Sequence, residues 1–247
     1  MLAIIGGSGV YSLGEDFHLE QQLSGQTPYG DTSALPMAGN WQEEPVVFLP
    51  RHGPGHSVPP HAINYRANLW ALKQAGVDSV IAINAVGGIA DDMGPCSIAL
   101  PAQLIDYSSG REHSFFDGSD GQVHHVDFSD PYSARLRSSL LKAAAEAGIA
   151  LVDGGTYGCT NGPRFETAAE IERMRRDGCS MVGMTGMPEA ALARELDIEY
   201  AAVAMSVNWA AGIGAEDISM AEIMANLERS VDQLYPLLLA ATRIIRQ

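Results

Sequence analysis

Short, almost wholly apolar runs alternate along the chain with longer segments whose apolar side chains recur every three or four residues. Residues 2–5, 46–49, 79–84, 181–184 and 199–207 are runs of the first kind. They are too short and too continuous for amphipathic helices, and they predict strands buried on both faces. Residues 97–105 and 149–153 read as further extended segments. Residues 63–74 have helical spacing, with Leu69, Trp70 and Leu72 on one side and Gly76 as the stop. Ala134–Ala147 predicts a second helix, ended by Gly148, and residues 166–176 a third. Pro188 suits a first helical turn, and residues 189–196 continue a fourth. Residues 220–246 predict a long amphipathic fifth helix, bent at Pro236. This alternation predicts one α/β domain over 1–247, with a central mixed sheet flanked by helices. Residues 106–133 are polar, carry Gly110, Gly118 and Gly121, and read as one long excursion. Loops of that length in compact domains carry function or move.

Composition narrows the function classes. Of 247 residues, 46% are hydrophobic and 18% charged, which provides a sizeable core and excludes global disorder. Fifteen Lys and Arg stand against thirty Asp and Glu, a formal net charge of −15. Such a chain repels nucleic-acid backbone and anionic membrane, so neither is expected as a partner. Cys96, Cys159 and Cys179 are widely spaced with no C-x-x-C, which indicates neither a disulfide framework nor a zinc ribbon. Reduced cysteines, no signal-peptide pattern and no apolar run of about 20 residues predict a soluble cytoplasmic protein.

Ligands of open α/β sheets bind outside the carboxyl ends of the strands. Five predicted strand ends carry polar or glycine-rich chemistry, and together they suggest one composite pocket. The first is Gly6-Gly7-Ser8-Gly9, whose backbone N–H groups could nest an anion beside the Ser8 hydroxyl. It is equally a structural turn: a dinucleotide fingerprint fails at Ser12, and the P-loop lysine is missing. The second is Arg51-His52, where a planar fork of donors suits a phosphate or an ion pair. His52, His56 and His61 do not form a metal motif, because Pro54, Pro59 and Pro60 break helical geometry. The remaining ends are Asn84-Ala85-Val86-Gly87-Gly88, Met184-Thr185 and Asn208-Trp209.

Three further features have two readings each. Glu166, expected in a first helical turn, either caps that helix or accepts N–H donors from a purine. Phe165 beside it offers a flat face. Asn208 is a satisfied buried amide or a paired donor and acceptor for a base. Met220 and Met224 are core residues or a soft apolar contact at a pocket mouth.

These motifs, with Gly162-Pro163-Arg164-Phe165-Glu166-Thr167 and Gly183-Met184-Thr185-Gly186-Met187-Pro188-Glu189, resemble the trimeric purine nucleoside phosphorylase family. The likeness runs in order along nearly the whole chain, and the methylthioadenosine phosphorylase branch looks nearest. The resemblance implies a single nucleoside-phosphorylase-type domain that cleaves an N-glycosidic bond with orthophosphate as co-substrate. It implies no metal, no organic cofactor, and a homotrimer with sites near subunit interfaces. By motif, Ser8, Arg51, His52, Asn84, Ala85 and Thr185 would hold phosphate. Met184 would lie on the ribose, Phe165 on the base, and Asn208 would hydrogen-bond the leaving purine. Arg51, His52 and Asn208 are thus the catalytic candidates.

Departures from the family pattern concern the substrate. Adenine-specific members carry acidic residues at the places of Asn208 and Ala210 and tend to lack one at Glu166. Glu166 can accept from a base N1–H, and Asn208 can donate to a 6-oxo group, so the pair implies a 6-oxopurine. Inosine phosphorylases place a histidine near Met220. Here Met220 and Ile223 make that end apolar, which suits a 5′-methylthio group. His125 aligns with a histidine that the methylthio branch contributes from a neighbouring subunit. The expected substrate is S-methyl-5′-thioinosine. Its adenosine counterpart and unmodified inosine are the alternatives in the same class. A non-catalytic nucleoside-binding module is the alternative outside it.

Overall fold

A computed structural model describes residues 1–119, 121–214 and 218–246. In chain order the elements are β1 (Leu2–Gly6), β2 (Phe17–Gln22), β3 (Gln26–Thr27), β4 (Gly30–Asp31), β5 (Met37–Trp41) and β6 (Glu44–Pro50). Next come α1 (Tyr65–Gln74), β7 (Ser79–Gly88), β8 (Ile98–Leu100), β9 (Gln103–Asp106), α2 (Ala134–Ala147), β10 (Val152–Asp153) and β11 (Thr156–Cys159). The chain ends with α3 (Ala168–Arg176), β12 (Met181–Gly183), α4 (Gly186–Glu195), β13 (Glu199–Trp209) and α5 (Met220–Ile245).

The main sheet runs β10-β8-β13-β7-β1-β6-β5-β2, with β12, β11 and β9 branching from the end of β7. The central strands β13, β7, β1 and β6 are parallel, so their carboxyl ends face one side. The pairs β5–β6, β2–β5 and β12–β7 are antiparallel, which makes the sheet mixed as the alternation predicts. Side-chain parity divides the core in two. Ala3, Ile5, Val47, Leu49, Val80 and Ala82 pack with Leu69 and Leu72 of α1 and with Ala190 and Leu192 of α4. Their neighbours Leu2, Ile4, Val46, Phe48, Ile81 and Ile83 pack on the other face, against α2 and α5. Both faces are covered, which explains why these strands read as unbroken apolar runs. No helix among the described residues is long and apolar enough to cross a membrane.

Several boundaries differ from the sequence expectations. The 97–105 segment is two strands, β8 and β9, separated by Pro101 and Ala102. Only Val152 and Asp153 of 149–153 pair. The first helix starts at Tyr65, with Asn64 accepting from the Ala67 N–H as its cap. The fifth helix continues through Pro236 as one element. The strands β2, β5 and β11 were not expected. β2 lies at the sheet edge and is almost wholly exposed, so it lacks the apolar signal.

The most consequential difference is at α3. Thr167 caps that helix by accepting from the Glu170 N–H, and the Glu170 carboxylate accepts from the Thr167 N–H. This reciprocal capping box is announced by the Thr167-x-x-Glu170 spacing. Glu166 therefore lies outside the helix and is not its cap. Thr167→Ala should destabilise the fold by about 1 kcal/mol. Glu166→Ala should cost much less, and chemical denaturation of the two variants checks the difference.

Candidate active site

The carboxyl ends of β1, β6, β7 and β13, with the segment after β12, enclose one cavity of about 450 Å³. Ser8, Arg51, His52, Ala85, Thr185 and Asn208 all line it. Each of the five strand ends singled out in the sequence thus contributes to the same wall. The approach of β1 to β7 is close. A Cβ on Gly7 would stand 2.3 Å from the Ile83 carbonyl oxygen and 3.1 Å from Arg51 Nη1, so glycine is required there.

Arg51 forms part of the cavity floor and has no exposed surface. Its Nε and Nη2 donate to the two carboxylate oxygens of Glu189, each at 2.7 Å, and Nη1 donates to Ile83 O at 2.7 Å. Glu189 is equally buried and also accepts from the Tyr200 hydroxyl at 2.8 Å. The ion pair that is one reading of Arg51 exists, and it lies deep inside the protein. Burial alone would lower the Arg51 pKa, but the Glu189 charge and hydrogen bonds more than offset it and the guanidinium is held protonated. Three of its five N–H groups are used in these contacts, which leaves one on each of Nη1 and Nη2.

His52 is 4% exposed and stacks on His56 with ring centroids 4.2 Å apart. Its Nδ1 lies 2.9 Å from Val58 O. A carbonyl only accepts, so Nδ1 carries the proton and Nε2 of the neutral ring is an acceptor. Burial, reinforced by the adjacent Arg51 charge, pushes the His52 pKa down to about 4. The imidazole is neutral at physiological pH. Thr185 Oγ1 accepts from Asn84 Nδ2 at 2.8 Å, a bond that uses an oxygen lone pair and not the hydroxyl proton.

Phe165, Glu166, Asn208 and Ala210 also line the cavity, and Asn208 pairs beside Gly87, four residues along β7 from the Ile83 carbonyl that holds Arg51. Glu166 Oε1 accepts from the Thr160 hydroxyl at 2.6 Å. Asn208 follows a register shift between β13 and β7, where Ser206 faces Val86 and Asn208 faces Gly87. The extra residue, Val207, re-aims the strand as a bulge does. One N–H of the Asn208 amide donates to Trp209 O at 2.6 Å, leaving a second N–H and the carbonyl oxygen. Ile218, Met220, Ile223, Met224 and Leu227 add an apolar stretch to the cavity lining. Met220 is 60% exposed and Met224 48%, so they are mouth residues and not core.

Two expected site residues are not in this wall. Asn84 is 1% exposed and stands behind Thr185. Its Oδ1 is buried without a hydrogen-bond partner among the described residues. His125 is exposed in the long excursion and does not line the cavity of its own chain. Sequence reasoning had no role for Glu189, Tyr200 or Thr160. The shortage of basic residues was the available hint that a buried Arg51 needs an acidic partner.

A family model described as "Phosphorylase superfamily" matches residues 1–243. A probable S-methyl-5′-thioinosine phosphorylase from Xanthomonas campestris pv. campestris is 54% identical over 230 residues, which cover 92% of this chain and 91% of the relative. A 6-oxopurine nucleoside phosphorylase from Pyrococcus furiosus is 43% identical, covering 99% of this chain and 92% of its own. Methylthioadenosine phosphorylase from Schistosoma mansoni, solved with adenine, superposes with a TM-score of 0.93 at 31% identity. That match covers 99% of this chain and 91% of the other.

The His52 environment sets a pH dependence. Between pH 6.5 and 4 the unfolded imidazole binds a proton and the native one does not, so stability is lost as pH falls through that window. The loss from this group between pH 7 and pH 5 should be about 2 kcal/mol. Urea denaturation across that range should show a shallower pH slope for His52→Gln than for the wild type. Equal slopes would contradict the assignment.

Proposed function

We propose that this chain, which belongs to the phosphorylase superfamily, cleaves S-methyl-5′-thioinosine with orthophosphate to hypoxanthine and 5-methylthioribose 1-phosphate. The observation that carries the reading is a division of labour within one cavity. Ser8, Thr185 and His52 line it with the buried Arg51, which is held at Ile83 of β7; Asn208 lines it beside Gly87, four residues further along β7, with Glu166; and Met220 and Ile223 add apolar surface. The 54% identical relative from Xanthomonas, itself named a probable S-methyl-5′-thioinosine phosphorylase, supports the same substrate.

In the forward reaction a phosphate oxygen bonds to the sugar anomeric carbon while the bond from that carbon to purine N9 breaks. The bond electrons leave with the base. Ser8 and Thr185 donate to the phosphate from their hydroxyls, and neutral His52 accepts from a phosphate O–H through Nε2. Arg51 adds its remaining N–H groups from below. Positive charge grows on the sugar beside the phosphate, and negative charge grows on the base. Donors fixed in a pocket stabilise such charge without reorganising. Asn208 meets that charge at the 6-oxo group with its remaining N–H, and Glu166 accepts from N1–H. A 6-amino base would leave both groups wrongly paired, the condition under which polar sites discriminate strongly. Met184 and Phe165 hold the sugar and base in line for attack.

The second reading, a general 6-oxopurine nucleoside phosphorylase, is favoured by the 43% identical Pyrococcus relative and shares the base end. The sugar end separates the two, because an apolar wall leaves a 5′-hydroxyl without a partner. The homotrimer belongs to the same proposal. It is supported by Tyr11, Phe165, Met220 and Met224, which are exposed around the mouth, and by His125, which sits away from its own cavity.

Phosphate-dependent cleavage of methylthioinosine, methylthioadenosine and inosine, compared at one phosphate concentration, tests the proposal. Methylthioinosine should be preferred by about 100-fold or more over methylthioadenosine. Asn208→Asp should shift that ratio toward the 6-amino substrate. A preference for methylthioadenosine would refute the base assignment, a preference for inosine the sugar assignment, and no cleavage the activity itself.

A further inference from the structure

The nucleoside end of the cavity is built by two separate loops. One follows β11 and carries Thr160, Asn161 and Glu166. The other follows β12, carries Met184 and Thr185, and leads into Met187 in the first turn of α4. Arg111, from the long polar excursion, reaches both from behind the wall. The two N–H groups of its Nη2 are shared among Thr160 O at 3.2 Å, Asn161 O at 3.0 Å and Met184 O at 2.8 Å. Its Nη1 donates to Met187 O and lies 3.5 Å from the Tyr65 hydroxyl. The guanidinium carbon sits over the Tyr65 ring, 5.4 Å from its centroid. The plane is thus held on α1 while its edge spans the two loops.

We propose that Arg111 is a positioning residue that sets Glu166 and Met184 at a fixed separation around the nucleoside. The link to Glu166 runs through one residue. Arg111 holds the Thr160 carbonyl, and the Thr160 hydroxyl holds Glu166 Oε1 at 2.6 Å. The link to Met184 is direct. A planar fork can bridge acceptors on two loops at once, whereas a lysine ammonium is one point on a flexible stem. Further bonds keep the excursion in register with this role. Ser109 N donates to Asn161 Oδ1 at 3.1 Å, and Asn161 Nδ2 donates back to Ser109 O at 3.0 Å. Ser114 Oγ and Phe115 N both donate to the Glu195 carboxylate at 2.7 Å, which fastens the excursion to α4. The phosphate end rests mainly on β1 and β6, through Ser8, Arg51 and His52, and Arg111 makes none of their contacts. Thr185, the phosphate donor that follows Met184, has its hydroxyl fixed separately by Asn84 Nδ2 at 2.8 Å, so the effect of Arg111 falls chiefly on the nucleoside.

This inference rests on the reading of Glu166 as a base acceptor, and the test separates the two. Arg111→Lys, Glu166→Gln and the double variant are compared with wild type by steady-state kinetics, varying nucleoside and phosphate independently. Thermal unfolding is measured in parallel. Arg111→Lys should raise the KM for methylthioinosine about tenfold or more, with the phosphate KM within about twofold of wild type. It should also narrow the preference for the 6-oxo over the 6-amino nucleoside, and it should narrow it little further when Glu166 is already Gln. A variant that loses kcat with both KM values unchanged overturns the proposal. So does one that costs as much base preference in the Glu166→Gln background as in the wild type. If Glu166→Gln alone leaves the preference intact, the base reading of Glu166 fails, and the split between the two KM values still decides for or against Arg111.

Discussion

A fully buried guanidinium clamped by a fully buried carboxylate is the constraint on which the site depends. Arg51 comes from the end of β6, Glu189 from α4 and Tyr200 from β13, so the three tie a strand end, a helix and a central strand beneath the cavity. Removing one partner would strand the other's charge in the interior, at a cost of about 3–5 kcal/mol. The pair also fixes the electrostatics above it. The Arg51 charge is matched by Glu189 before any anion arrives, and it helps keep the neighbouring His52 neutral. The floor of the cavity thus offers oriented hydrogen-bond donors and one imidazole acceptor, and not an unpaired positive charge.

The parallel strands supply the rest of the geometry. Because β6, β1, β7 and β13 run the same way, residues distant in the chain arrive at one edge. Each end is then adjusted locally. Gly7 admits the close approach of β1 to β7, Asn84 orients the Thr185 hydroxyl, and the bulge at Val207 aims Asn208. The capping box of α3 frees Glu166 from helical duty, and the Thr160 hydroxyl holds it at the wall. The apolar mouth residues Met220 and Met224 come from the first turns of the C-terminal helix, whose later turns pack on the sheet.

Much of this was legible in the sequence, and the failures have physical causes. The core strands were readable because burial on both faces leaves unbroken apolar runs. The composite pocket was readable because polar and glycine-rich residues recur at the ends of those runs. The edge strand β2 was not, since its exposed side chains are Glu, Gln and His as well as Leu. The start of α3 was misplaced at Glu166, although the Thr167-x-x-Glu170 spacing carried the correct signal. Glu189 and Arg111 were not legible at all as partners. The first is paired across 138 residues and the second lies in a polar loop, and only the folded chain brings their acceptors and donors together.

The most direct measurement is a crystal structure of the protein with hypoxanthine and orthophosphate bound together. The account predicts phosphate against Ser8, His52 and Thr185, with Asn84 one step behind. It predicts hypoxanthine within hydrogen-bond distance of both Glu166 and Asn208, with the Arg51–Glu189 pair intact. Phosphate displaced from the β1–β6 end, or a base that leaves Glu166 bound only to Thr160, would contradict it.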